Sequence, residues 1–113
     1  MKKEFQIISE LIKSNCRVLD VGCGDGILMK NLKDNKSVDT RGLEISKKNV
    51  QTCISKGLFV IEGNAENDLK QFPDLSFDYA ILGQTLQAFY NPEKVIDDLL
   101  RVSKRAIITI PNF

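Results

Sequence analysis

The segment Arg17–Val21 is a short, nearly apolar run that passes directly into Gly22-Cys23-Gly24-Asp25-Gly26, and helical character resumes over 27–32. Glycines so spaced permit positive φ and let a ligand approach the backbone, so the run reads as a buried strand feeding a tight turn and a helix N-terminus. Such a turn belongs to sheets in which strands and helices alternate, and the rest of the chain alternates in that way. Phe5, Ile7, Ile8, Leu11 and Ile12 recur at helical spacing, which predicts an opening helix over 3–14. Further strands are expected at 39–45, 58–62, 77–82 and 106–110. A helix capped by Ser46 and stopped by Gly57, a short one over 66–71 and one opened by Pro92 and ending near 104 separate them. The expected fold is α/β, a Rossmann-like, doubly wound and mainly parallel sheet of five strands covered on both faces.

Composition narrows the chemistry. With 113 residues and 42% hydrophobic content, residues 1–113 make one domain. Sixteen Lys and Arg against fifteen Asp and Glu leave a charge of +1, without the basic excess that holds nucleic acid. No apolar run reaches the roughly 20 residues a membrane span requires, and no signal-peptide pattern follows Met1, so a cytoplasmic protein is expected. Histidine is absent, which removes Ser-His and Cys-His nucleophilic pairs and every His-containing metal site. Cys16, Cys23 and Cys53 form no CxxC pair and are odd in number, so they read as bystander thiols. Chemistry must come from carboxylates, amides or a cofactor.

The glycine spacing is GxGxG, not the dinucleotide GxGxxG, and Asp20 places a carboxylate where a diphosphate would be repelled. A cationic ligand such as S-adenosylmethionine, which carries a sulfonium and an ammonium, suits that acid better than NAD does. Glu44, at the end of the second expected strand, stands near the roughly 20-residue offset at which a carboxylate meets a ribose hydroxyl pair. Asn64, after the third, offers an amide oxygen and a backbone N–H to the edge of adenine. Each has a plainer reading: Asp20 as a turn cap, Glu44 as a solvated strand-end acid, Asn64 as a common turn residue. Their occurrence in order at the ends of three successive strands favours the shared ligand.

Through Val18-Leu19-Asp20-Val21-Gly22-Cys23-Gly24-Asp25-Gly26, Glu44 and Gly63-Asn64-Ala65-Glu66 the chain resembles class I S-adenosylmethionine-dependent methyltransferases. More narrowly it resembles the methionine biosynthesis protein MetW family. That likeness rests on Arg41-Gly42-Leu43-Glu44-Ile45, Phe72-Pro73-Asp74-Leu75-Ser76-Phe77-Asp78-Tyr79, Ile81-Leu82-Gly83-Gln84-Thr85-Leu86-Gln87 and Ile110-Pro111-Asn112-Phe113. The resemblance implies that Asp20 and the backbone of Gly22, Cys23 and Gly24 hold the methionine part of the cofactor. It gives Glu44 the ribose, Ile45 an adenine face, Asn64 with Ala65 the adenine edge, and Gly83 with Gln84 the border of the methyl-transfer crevice.

Two departures accompany the likeness. Asn64 stands where such proteins usually carry an aspartate, and the family fold continues for two further strands, so the chain is C-terminally abbreviated relative to it. An uncovered apolar edge at Ala106-Ile107-Ile108-Thr109-Ile110 is then expected to self-associate.

On the acceptor side, Gln84, Thr85 and Gln87 are the polar groups best placed, and none is an obvious general base. Asn91-Pro92 lacks the Pro-aromatic continuation of amino methyltransferases. Phe89 and Tyr90 read as core packing rather than a lid. Three functions stay open: a methyltransferase, a cofactor-binding regulator or partner of homoserine O-acyltransferase as the family likeness implies, and, disfavoured by Asp20, an NAD-dependent oxidoreductase.

Overall fold

A computed structural model describes residues 1–83 and 89–109. Its elements are α1 (Lys3–Leu11), β1 (Arg17–Val21), α2 (Ile27–Lys36), β2 (Asp39–Glu44), α3 (Lys47–Ser55), β3 (Val60–Glu62) and α4 (Ala65–Asp68), extended by a 3-10 turn at Leu69–Gln71. They continue with β4 (Phe77–Leu82), α5 (Pro92–Val102) and β5 (Ser103–Ile108). The strands form one sheet in the order β3-β2-β1-β4-β5, and every pairing is parallel. The expected Rossmann-like sheet is therefore present. Val21 lies in register with both Leu43 and Leu82, so β1, β2 and β4 end at one level. After β3 the chain crosses back to the far side of β1, which makes the gap between β1 and β4 the switch point where such sheets bind ligands.

Alternation along the strands divides the core. Leu19 and Val21 join Leu43, Ala80 and Leu82 on the face packed by Ala65, Leu69, Val95, Leu99 and Val102 of α4, its 3-10 extension and α5. Val18, Tyr79 and Ile81 face the other way, onto Ile8 and Ile12 at α1 and Leu28 and Leu32 of α2. A smaller cluster of Cys23, Met29, Cys53 and Leu58 ties the glycine turn to α3.

The anticipated punctuation is found where the chemistry required it. Ser46 Oγ accepts the Asn49 N–H, Gly57 adopts φ +77 after α3, and Pro92 stands in the first turn of α5 behind the Asn91 cap. Several boundaries move. The first helix stops at Leu11 rather than 14 because Ile12 turns extended to bury itself, and Asn15 takes a left-handed turn. The second helix continues to Lys36, and β2 ends at Glu44, leaving Ile45 outside. β3 is shortened to three residues because the Leu58 N–H closes the end of α3 by donating to Cys53 O. The last helix ends two residues early and β5 starts at Ser103, whose hydroxyl donates to Leu99 O at 2.6 Å and turns the chain into the sheet. The expected edge strand therefore begins with the exposed cations Lys104 and Arg105, and Ala106, Ile107 and Ile108 are half-buried.

Candidate functional site

The turn after β1 holds Gly22, Gly24 and Gly26 at φ +73, +60 and +88, conformations that side-chain-bearing residues rarely adopt. Its base is fixed by hydrogen bonds from Gly22 N–H to Leu43 O (2.7 Å) and from Gly83 N–H to Val21 O (2.9 Å). A Cβ on Gly83 would lie 3.0 Å from Gly22 O, so a side chain there would push β4 and the turn slightly apart. Gly24 faces open space. The switch point is thus lined by backbone from three strands.

Asp20, on the α1 side of β1, is 3% exposed, and no described residue donates a hydrogen bond to its carboxylate. Asp20 lines a cavity on that side of the sheet. That cavity, of about 90 Å³, is bounded by Gly22, Cys23 and Gly83 and by Glu4 and Phe5 of α1. Burial, and secondarily the nearby charge of Glu44, push the Asp20 carboxyl up to about 7.

Glu44 is neither a solvated acid nor a free one. It is buried, its Oε1 accepts the Gly24 N–H at 2.8 Å, and its Oε2 accepts the Ser46 N–H at 2.9 Å. The carboxylate braces the glycine turn against the start of α3, and each oxygen keeps a further lone pair directed elsewhere. Beyond Gly22 a second, narrow pocket of about 20 Å³ is walled by Val21, Leu43, Ile45, Ala65 and Phe89, with Gly63 and Asn64 at its edge. Ile45 is exposed there and presents an apolar face.

Asn64 also serves the protein itself. Its Oδ1 caps α4 by accepting the Glu66 N–H (2.7 Å), and its own N–H donates to Asp68 Oδ2 (2.6 Å). A short polar residue before a helix satisfies the nearest orphan donor, and the Asn64 oxygen keeps a second lone pair beside it. Tyr90 departs from expectation. It is fully exposed, whereas Phe89 is partly buried against the core. Gln84, Thr85 and Gln87 lie outside the described residues.

Two carboxylates given no role by the sequence reading, Asp68 and the motif residue Glu66, shape the site. Asp68 holds the turn after β3, and Glu66 accepts the N–H groups of Tyr90 (3.0 Å) and Asn91 (2.9 Å), carrying Phe89 to the apolar pocket. The wall supplied by Glu4 and Phe5 was equally illegible, since nothing local pairs α1 with the glycine turn. Cys23 and Cys53 stand 4.0 Å apart, sulfur to sulfur, as free thiols. Burial, reinforced at Cys23 by Asp20, pushes both thiols up, away from the reactive thiolate. Among the described residues no group of metal-ligating side chains converges, and no helix is long and apolar enough to cross a membrane.

A profile of the methionine biosynthesis protein MetW family matches residues 2–113. The chain belongs to that family. Among curated proteins, the MetW-family chain is 35% identical over 114 residues to the bifunctional methionine biosynthesis protein MetXA/MetW of Rhodopirellula baltica, covering 94% of this chain and 18% of that protein. Among solved structures it resembles an S-adenosylmethionine-dependent methyltransferase of Thermotoga maritima. There the TM-score is 0.74 and the identity 27%, over 95% of this chain and 49% of that one. It also shares the fold of the cyclase SpnF, with TM-score 0.77 and 23% identity over 89% of this chain and 40% of the other. The MetW-family chain thus has the class I methyltransferase fold and spans half or less of the length of these relatives.

Proposed function

We propose that this MetW-family domain binds S-adenosylmethionine across the glycine turn and transfers its methyl group to an acceptor in methionine biosynthesis. The observation that carries the reading is Asp20, a buried carboxylate with no donor among the described residues, lining a cavity beside glycine backbone. Lys2 lines the same cavity but forms no ion pair with Asp20 among the described residues, and the ammonium of the ligand supplies both a cation and hydrogen-bond donors. On the other side of Gly22, Ile45, Ala65 and Phe89 offer apolar walls to a flat ring. Gly24, with open space over its α-carbon, allows close passage between the two pockets. Glu44 fits the ribose with its remaining lone pairs while continuing to brace the turn.

When bound, S-adenosylmethionine supplies a methyl group on a positively charged sulfur. The chain's own contribution is orientation: a rigid turn, a wall from α1 and a crevice edge at Gly83 that together fix the ligand, which can be worth about 7 to 11 kcal/mol without a strong base.

A second reading is supported by the Rhodopirellula relative, which joins MetXA and MetW in one chain. Such fusion is expected if the domain works against a methionine-biosynthesis partner, homoserine O-acyltransferase, as a cofactor-binding regulator. Titration calorimetry with S-adenosylmethionine, S-adenosylhomocysteine and NADH tests the site. Binding of the first two, lost in Asp20→Asn, is expected, and preferential NADH binding would overturn both readings. Retained binding without methyl transfer in the presence of the acyltransferase would select the second.

A further inference from the structure

A cleft at the opposite end of the sheet has no part in the site above. It has a volume of about 350 Å³ and lies between the turn after α1 and the N-terminal ends of β4 and β5. Lys13, Lys104 and Arg105 line it, with Ser14 and Tyr79 beside them and Asp78 as the one acid. Asp78 is compensated: one oxygen accepts the Arg17 N–H at 2.8 Å and the other meets Lys104 Nζ at 3.4 Å. Lys13 and Arg105 form no ion pair among the described residues, so the cleft keeps an uncompensated double positive charge in a chain whose net charge is only +1.

The second observation is Tyr79. It is 7% exposed, its ring lies in the core with Ile8, Val18 and Ile81, and its hydroxyl has no partner among the described residues. Tyr79 lines the cleft, which leaves its hydroxyl as a donor there. Arg105 stands in register beside Tyr79 across the β4–β5 pair, which puts a guanidinium stem and a phenol on neighbouring positions of one face.

We propose that this cleft is a binding site for the phosphoryl group of a small phosphorylated molecule, separate from the glycine-turn site. Two unpaired cations, a hydroxyl donor from Tyr79 and another from Ser14 match an oxyanion with several acceptor oxygens. Arg105 can engage two of these at once. The cleft exceeds what inorganic phosphate alone would fill, so the ligand carries an organic part.

The test is titration of the 113-residue chain with inorganic phosphate and pyrophosphate. Binding is followed by calorimetry and by backbone amide shifts, with chloride at matched ionic strength as reference. Saturable binding with shifts confined to residues 13–16, 78–79 and 104–105 is expected. Lys13→Gln and Arg105→Gln, both at exposed positions, should each weaken it roughly tenfold. Tyr79→Phe, which keeps the ring in the core, should weaken it by a smaller factor. Shifts that rise linearly or scatter over the surface, equal affinity in all variants, or tighter binding of succinate than of phosphate would overturn the proposal.

Discussion

Asp20 is buried under the glycine turn without a donor among the described residues, and its titration follows from that position. Its carboxyl is raised from 3.8 to about 7 in the folded chain, so its contribution to stability is fully present below about pH 4 and lost as pH rises through 7. By pH 8 the buried charge costs roughly 4 kcal/mol relative to the acid limit. Asp20→Asn is therefore expected to raise the unfolding temperature at pH 8 and to change it little at pH 4, measured by thermal unfolding at both. The same titration governs a cationic ligand: wild-type affinity for S-adenosylmethionine should climb as pH passes upward through 7, and a flat profile would count against ammonium binding at Asp20. Glu44 has both oxygens engaged by backbone N–H groups. Glu44→Gln leaves one N–H facing an amide nitrogen and should cost about 1 to 3 kcal/mol in urea unfolding.

At the scale of elements, α5 and the glycine turn show how local chemistry is overruled by packing. α5 has Pro92 in its first turn, as the sequence indicates; its cap at Asn91 and a buried stripe of Val95, Leu99 and Val102 that leaves Leu100 exposed emerge in the fold. Its end was not legible in the sequence, because the hydrogen bond from Ser103 to Leu99 O depends on the strand that follows. Leu99→Ala removes a fully buried side chain from between α5 and the sheet and should cost about 2 to 5 kcal/mol by denaturant unfolding. Arg101 fastens the same helix to the connection before β4, donating to Leu69 O, Phe72 O and Asp74. In the turn, a Cβ on Gly26 would fall 2.6 Å from Leu58 Cδ1 at a φ of +88. Gly26→Ala combines backbone strain with overpacking and is expected to destabilise by about 1 to 3 kcal/mol.

For the molecule as a whole, the sheet order leaves β3 and β5 as edges among the described strands. β5 carries Lys104 and Arg105 at its start and half-buried Ala106, Ile107 and Ile108 beyond, so charge blunts one end of the edge and the other end can pair. The 113-residue chain should accordingly show an average mass in sedimentation that rises with concentration, and more steeply at high salt, where the cations repel less. A monomer at all concentrations and salts would refute it. Charge is also polarised along the strands: Asp20 and Glu44 are buried near the C-terminal ends, and Lys13, Lys104 and Arg105 gather at the other.

The alternation of apolar strands with capped helices was enough to determine the α/β class, the five strands and the glycine turn, because those depend on period and on residues such as Gly57 and Pro92 whose effects are local. Asp20 and Glu44 could be picked out for the same reason, by their places at strand ends. What each carboxylate touches was decided only in three dimensions. Glu44 meets the Gly24 and Ser46 N–H groups because parallel register brings two turns together, and Asn64 turns to cap α4 because an orphan N–H lies two residues away. Glu66 at Tyr90 and Asn91, Phe5 over the Asp20 cavity, and Tyr79 beside Arg105 join residues far apart in the chain. A sequence records which residues can make such contacts; the crossover connections and the strand order choose which of them do.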